Sequence, residues 1–190
     1  VVASPVTQSM SITVNALNDA PTASDGTVST DEDTAYVLTT TDFSFSDLDS
    51  TDSLQSVKII QLPSAGSLTL DGSPVNADAE ILVADILADK LQFMPVANAN
   101  GISYSSFQFQ VSDGTEFSPT QTLTVNVKPV NDAPEISGIP DFSVRQGDSY
   151  IFAPDFTDID GDNLSFTIAN QPTWAEFDSQ TGMISGRPTN

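Results

Sequence analysis

Residues 124–134 read Thr-Val-Asn-Val-Lys-Pro-Val-Asn-Asp-Ala-Pro, and residues 13–21 read Thr-Val-Asn-Ala-Leu-Asn-Asp-Ala-Pro. In each copy apolar and polar residues alternate, which is the period of a strand with one buried face, before the chain enters Asn-Asp-Ala-Pro. The asparagines of that tetrapeptide, Asn18 and Asn131, lie 113 positions apart. This distance is close to the roughly 100 residues of one seven-stranded sandwich. The repeat therefore predicts tandem β-sandwich domains with a junction at each Asn-Asp-Ala-Pro.

Alternating stretches of the same kind recur along the chain, including residues 11–14, 57–60, 107–111 and 123–127. Turn dipeptides rich in Asp and Gly separate them at the spacing of an antiparallel sandwich. The one helical pattern, residues 83–89, is too short to be more than a connector between strands. We therefore predict an all-β fold of tandem Ig-like, Greek-key β-sandwiches.

The repeat divides the chain into three parts. Residues 1–17 are predicted to be the last strand of a preceding repeat, and residues 18–130 a complete sandwich. Residues 131–190 are predicted to be a further domain that lacks its final hairpin, because fewer than seven strands are predicted there. Those strands are residues 142–145, 150–152, 164–168, 175–177 and 183–185.

Composition restricts the function. The chain has 26 acidic and 5 basic residues and a formal net charge of −21, so nucleic acid and anionic membrane surfaces are not expected as partners. Histidine and cysteine are absent, which argues against disulfides, zinc sites and histidine-based catalytic triads. No apolar run approaches the roughly 20 residues that span a bilayer, so no membrane insertion is expected in this segment. No carboxylate pair stands apart from the acidic loops, and we expect no enzymatic activity.

Three further motifs carry a family resemblance: Leu-Gln-Phe-Met-Pro at 91–95, Asn-Ala-Asn-Gly at 98–101 and Phe-Gln-Phe-Gln-Val-Ser-Asp-Gly at 107–114. With the Asn-Asp-Ala-Pro linkers, they resemble the cadherin-like repeats of bacterial RTX and biofilm adhesins. Residues 135–190 resemble a dystroglycan-type cadherin-like domain. The resemblance implies tandem cadherin-like sandwiches joined by short calcium-binding linkers. It also implies an extender segment of a large bacterial cell-surface adhesin, with a role in cell adhesion and biofilm formation.

Calcium is the cofactor that this resemblance implies, and oxygen ligands suit this hard cation. In such a sandwich, the loop after the second strand and the loop between the last two strands lie beside the entering linker, at the upper end. The first turn and the leaving linker share the lower end. The candidate metal ligands are Asn18, Asp19, Asp47, Asp49 and Asp113 at the upper end of the complete domain, and Glu32, Asn131, Asp132, Asp158, Asp160 and Asp162 at its lower junction.

The lower junction is the favoured candidate, because ligands from two domains and the linker would surround an ion there and fix the interdomain angle. The acidic residue that cadherins carry two places before the linker Asn is Ala16 at one junction and Pro129 at the other. This departure predicts fewer ions per junction than in cadherins. The spacing of acidic residues in 158–169 does not fit an EF-hand loop, because Asn163 and Ala169 stand where that loop has Gly and Glu.

Three alternatives stay open at this point. The acidic loops can be plain solvated surface. Trp174, with Tyr36, Tyr104 and Phe117, can form a platform that stacks on a glycan, although core tryptophans are common in sandwiches. Residues 10–16 of one molecule can complete the sheet of another copy. The expected partners are thus calcium ions and neighbouring repeats, with glycans or another copy of the adhesin as alternatives, in an extracellular location.

Overall fold

The computed structural model describes residue 2, residues 9–13 and residues 17–189. The chain forms two compact units, Val1–Pro129 and Val130–Asn190, and each is described by itself. The three-part division expected from the repeat stays a prediction. In the strand predicted at residues 10–16, residues 14–16 lie outside the described part, and residues 10–13 are irregular.

The first unit is a sandwich of two sheets. Its strands are β1 (Gly26–Asp31), β2 (Tyr36–Val37), β3 (Ser56–Gln61), β4 (Ser67–Leu70), β5 (Ser73–Pro74), β6 (Glu80–Leu82), β7 (Leu91–Met94), β8 (Gly101–Ser112) and β9 (Gln121–Lys128). One sheet has the order β1-β9-β8-β3-β6 and the other the order β2-β7-β4-β5. β1 pairs with β9 in parallel, and the other pairings of this unit are antiparallel. The predicted all-β sandwich is confirmed.

The core of the first unit lies between the two sheets and follows the alternation of its longest strands. In β8, Phe107 is 1% exposed and Phe109 is fully buried, while the glutamines beside them are partly exposed. β9 repeats the pattern with Leu123 and Val125, both fully buried. Phe109 meets Phe43 edge-on, with 5.1 Å between the ring centroids. Burial of each such side chain contributes about 1.5–3 kcal/mol, and the strands predicted within β3, β8 and β9 are confirmed.

The predicted helical turn is also present, as α1 (Val83–Leu87) between β6 and β7. Its first residue donates a backbone hydrogen bond to Gln55 O at 2.8 Å, and Lys90 closes its end through Asp85 at 2.7 Å. A 3-10 turn, Thr40–Phe43, precedes the loop that contains Asp47, Asp49 and Asp52. None of the helices in the described ranges is long and apolar enough to cross a membrane.

The second unit contains two small antiparallel sheets. Its strands are β10 (Glu135–Ser137), β11 (Tyr150–Phe152), β12 (Asp155–Thr157), β13 (Ala175–Phe177) and β14 (Ile184–Gly186). β10 pairs with β12, and the other three strands form a sheet of order β11-β14-β13. The predictions of β11 and β13 are confirmed, and the strand predicted at residues 183–185 begins one residue later, as β14.

Two strand predictions in the second unit are wrong. Residues 142–145 and 164–168 are irregular, although their side chains alternate. A strand needs a neighbour that accepts and donates its backbone hydrogen bonds, and no described strand pairs with either segment. Phe142 is 91% exposed as a result. β10 and β12 were not predicted, because each is three residues long and none of their residues is buried.

The three-stranded sheet of the second unit has the same strand pairing and register as three adjacent strands of the first unit. Phe93 of β7 is the partner of both Tyr36 and Leu68. Gly186 of β14 is likewise the partner of Tyr150 and of the first residue of β13. A Cβ at Gly186 would overlap the carbonyl of Trp174, so this central position takes glycine in place of phenylalanine. The sheet β11-β14-β13 is therefore equivalent to β2-β7-β4.

Candidate metal site

Three aspartates form a compact group after the 3-10 turn of the first unit. Oxygens of Asp47, Asp49 and Asp52, here called the upper cluster, all lie within 4.8 Å of one another, and the three residues are partly buried. Asp47 Oδ2 is buried and has no hydrogen-bond partner in the described part of the chain. Two unit charges about 4 Å apart repel by roughly 4 kcal/mol at an effective dielectric constant of 20. The upper cluster is therefore an arrangement that a bound cation would stabilise.

The entering linker is held on the upper cluster by hydrogen bonds. Asp19 N–H donates to Asp49 Oδ2 at 2.8 Å, and Asp49 N–H donates to Asp47 Oδ1 at 2.8 Å. Asn18 Nδ2 donates to Asp113 Oδ2 at 3.1 Å, which joins the linker to the loop between β8 and β9. The structure thus brings together the five residues that the sequence predicted for this end.

Asp113 is held in its ionised form by the turn that it begins. Backbone N–H groups of Glu116 and Thr115 donate to its Oδ1 at 2.8 and 2.6 Å. These bonds, the one from Glu116 first, hold the pKa of the Asp113 carboxyl below its ordinary value. A carboxylate that keeps its charge in mild acid is a suitable ligand for a divalent cation.

The second unit repeats this arrangement at its own linker. Asp132 N–H donates to Asp160 Oδ2 at 2.6 Å, and Asp160 N–H donates to Asp158 Oδ1 at 3.0 Å. Asp162 N–H donates to the same Asp158 oxygen at 3.1 Å, and Asn131 Nδ2 donates to Asp132 O at 2.9 Å. The four predicted aspartates and asparagine of this unit therefore belong to one network.

Glu32 lies at the lower end of the first unit and is only 3% exposed. Its backbone N–H donates to Lys128 O at 2.9 Å, beside the leaving linker. Its Oε2 accepts a hydrogen bond from Asn100 Nδ2 at 3.0 Å, and the neighbouring Asp33 Oδ1 accepts one from Asn98 N–H at 2.9 Å. The two asparagines were not predicted as site residues, although they belong to the Asn-Ala-Asn-Gly motif.

The predicted lower junction joins residues of both units, so its assembly around one ion stays a prediction. The sequence favoured that junction over the upper end. Within the described residues of the first unit, however, the group of three carboxylates whose oxygens lie within 4.8 Å of one another is the upper cluster, which includes Asp52.

The donor set suits calcium. The side-chain atoms of the upper cluster and of Asn18 that could coordinate a metal are oxygens. Calcium binds about six to eight oxygens at roughly 2.3–2.6 Å. No histidine or cysteine is available anywhere in the sequence to favour zinc or copper. A calcium ion at this end would also supply the missing partner of Asp47 Oδ2.

Three of the four aromatic residues considered for glycan stacking make contacts within their own units, and the fourth, Phe117, is 38% exposed. Trp174 is partly buried and meets Tyr150 edge-on, with 5.8 Å between the ring centroids. Tyr36 donates its hydroxyl hydrogen to Asp42 at 3.2 Å, and the hydroxyl oxygen of Tyr104 accepts a hydrogen bond from Val96 N–H at 3.1 Å. These contacts assign the side chains a packing role, and glycan binding stays a prediction.

Residues 21–127 match the sequence model of a family described as cadherin-like. The chain belongs to the cadherin-like family. The match begins in the first Asn-Asp-Ala-Pro linker and ends in β9. It covers β1 to β9, the upper cluster and Glu32, so the predicted cadherin-like membership is confirmed.

The cadherin-like chain resembles two curated matrix proteins and one solved structure. Human FRAS1-related extracellular matrix protein 1 is 28% identical over 166 residues, which are 82% of this chain and 7% of that protein. Extracellular matrix protein 3 of Lytechinus variegatus is 26% identical over 170 residues, 85% of this chain and 5% of that protein. The chain thus spans a small part of their length. The protocadherin GammaB4 extracellular domain matches with a TM-score of 0.39 and 19% identity, over 88% of this chain and 28% of that chain.

Proposed function

We propose that this cadherin-like chain is a calcium-stiffened spacer within a large extracellular adhesion protein. The observation that carries the proposal is a hydrogen bond from the linker to an acidic loop, present in both units. It runs from Asp19 N–H to Asp49 Oδ2 in the first unit and from Asp132 N–H to Asp160 Oδ2 in the second. Because the linker is bound to an acidic loop, a cation that neutralises the loop should restrict the motion of the linker, and removal of the cation should increase it.

Calcium would act at each Asn-Asp-Ala-Pro linker in the same way. Without the ion, repulsion between the carboxylates loosens the loop and releases the linker. With the ion, the loop and linker share one set of ligands, so ion binding and the stiffness of the junction are coupled. The ligands proposed at the second linker are Glu32, Asn131, Asp132, Asp158, Asp160 and Asp162.

Small-angle scattering on the chain, with calcium and with a chelator, tests this proposal. We expect calcium to increase the maximum dimension and narrow the distance distribution, because junctions that bend freely average over compact arrangements. Asp160→Asn should weaken this response, since it removes the charge that holds the Asp132 amide.

Asp78→Asn is the matched control, because Asp78 lies in an exposed turn and makes a long 3.7 Å ion pair with Lys58. This variant should respond to calcium as the unaltered chain does. An unchanged maximum dimension after chelation of the unaltered chain would count against the spacer function.

We place the parent protein outside the cell, in adhesion or matrix assembly. The two matched relatives are extracellular matrix proteins by name, which supports the extracellular location. The finer assignment, an extender of a bacterial RTX or biofilm adhesin with a dystroglycan-type second unit, rests on the linker and loop motifs of the sequence. The absence of histidine and cysteine supports a role without catalysis.

The alternative function is binding of a glycan or of another copy through the second unit. The feature that favours it is a cavity of about 210 Å³ lined by Phe142, Tyr150, Pro172 and Trp174, among others. A glycan array and the concentration dependence of the mass in solution test the two forms of this alternative. The absence of any bound glycan and a strictly monomeric species would remove both.

A further inference from the structure

The turn before the second strand of the first unit has a defined conformation. Thr34 N–H donates to Asp31 O at 3.3 Å, and Asp33 has a left-handed φ of 56°. Tyr36 then begins β2, which pairs with β7. This turn carries Glu32 and forms part of the lower end of the unit.

The second unit contains the same turn. Asp148 N–H donates to Arg145 O at 3.1 Å, and Gly147 has a left-handed φ of 82°. β11 follows and pairs with β14 in the register that β2 keeps with β7. The turn hydrogen bond, the left-handed position and the strand register therefore all make residues 145–147 equivalent to residues 31–33.

The two equivalent turns differ in charge. Residues 31–34 are Asp-Glu-Asp-Thr, with three negative charges, whereas residues 145–148 are Arg-Gln-Gly-Asp, in which Arg145 and Asp148 give no net charge. The second turn is held by the protein itself, since Arg187 Nη1 donates to Gly147 O at 3.2 Å. Gly147 N–H also donates to Pro188 O at 3.0 Å. Both arginines of the chain thus belong to this one end of the second unit.

We propose that this end of the second unit, unlike the lower end of the first, is independent of calcium, and that Arg145, Gln146 and Arg187 determine the difference. The inference rests on the proposed calcium function. A guanidinium repels a divalent cation, and glutamine and glycine side chains supply no carboxylate. Asp148 is the one carboxylate of this turn, whereas the first turn has three. Neither arginine takes part in the ion pairs formed among the described residues, so both charges are available to exclude a cation. Calcium would then stiffen the acidic junctions and leave this end unaffected.

Hydrogen–deuterium exchange on the whole chain, with and without calcium, tests the inference. We expect calcium to slow exchange in residues 31–34 roughly tenfold and to leave residues 145–148 unchanged. Asp31→Arg, which copies the residue of the second turn, should remove most of the response of the first turn. Glu176→Arg makes the same change of charge on the exposed face of β13 and serves as its control. Arg187→Ala should speed exchange at residues 145–148, because it removes the hydrogen bond to Gly147 O.

The outcomes separate the inference from the function on which it rests. A calcium response at residues 31–34 without one at 145–148 supports both. Equal protection of the two turns overturns the inference and leaves the spacer function standing. Absence of any response at the acidic loops, including residues 47–52 and 158–162, overturns both.

Discussion

At the scale of single residues, backbone amides hold the acidic loops of this cadherin-like chain. Among the described residues, ion pairs join Lys58 to Asp78 and Lys90 to Asp85, away from the linkers. The carboxylates beside the linkers instead accept hydrogen bonds from N–H groups, as Asp113 does from Glu116. Such bonds stabilise an ionised carboxylate, and at Asp113 they hold the pKa of the carboxyl below its ordinary value.

This arrangement predicts that the first unit loses stability in acid through Asp113. Its pKa is lowered in the folded state from an ordinary 3.8. The carboxylate therefore contributes stability above the unfolded pKa, and that contribution is lost as the pH falls through the lower, folded pKa. Asp113→Asn should reduce the loss of stability of the first unit as the pH falls from about 5 to below the ordinary pKa of 3.8. Urea denaturation in chelator, followed by far-ultraviolet circular dichroism, measures it.

Asp178→Asn is the matched variant in the second unit. Hydrogen bonding from the Gln180 N–H, the largest cause, lowers the pKa of Asp178 in the same way. Asp178→Asn should likewise reduce the loss of stability of the second unit in acid. The fluorescence of Trp174, the one tryptophan of the chain, follows the unfolding of this unit. Equal acid sensitivity of Asp113→Asn and the unaltered chain would contradict the role given to Asp113.

At the scale of elements, β8 contributes some side chains to the core and others to the solvent-exposed surface. Phe109→Ala should lower the free energy of unfolding of the first unit by about 3–5 kcal/mol, because it leaves a cavity beside Phe43. Ile102→Ala on the same strand should change it by less than about 0.5 kcal/mol, because Ile102 is 92% exposed. Chemical denaturation compares the two variants, and similar losses would contradict the position of the core between the sheets.

The strands that could be predicted are those whose partners lie nearby in the same unit. β8 and β9 alternate strongly and pair with each other, so the pattern and the structure agree. Residues 142–145 alternate as well, yet they are equivalent to the end of β1, whose partner in the first unit is β9. The second unit has no described strand in that place. Alternation alone therefore indicates which face a strand would bury and leaves its pairing undetermined.

The candidate site was predictable to the same degree. Residue type and the linker motif were enough to select the aspartates and Glu32, because calcium requires oxygen ligands. Asn98 and Asn100 contact Asp33 and Glu32 across 65 and 68 positions. Such contacts between distant loops depend on how β7 and β8 place the intervening loop, which no local pattern encodes.

At the scale of the whole molecule, a net charge of −21 makes every cation stabilising to some extent. Sodium acts by screening, with a Debye length of about 10 Å at 0.1 M, and its effect does not saturate at a site. A calcium site instead adds stability that follows its occupancy, about 2.7 kcal/mol at 100 times the dissociation constant. Stability measured against ion concentration therefore distinguishes the two ions, because the calcium curve follows the occupancy of a site and the sodium curve does not saturate at one.

We expect calcium to raise the unfolding temperature of the first unit at concentrations where sodium has no effect, because the upper cluster gathers three carboxylates around one position. Asp47→Asn should remove most of that increment and leave the sodium dependence unchanged, since it neutralises the residue with the unpartnered buried oxygen. Asp141→Asn removes the same charge at an exposed position in the second unit and should change little. If the two variants titrate alike with calcium, the ion acts as a general counterion and the acidic loops are solvated surface.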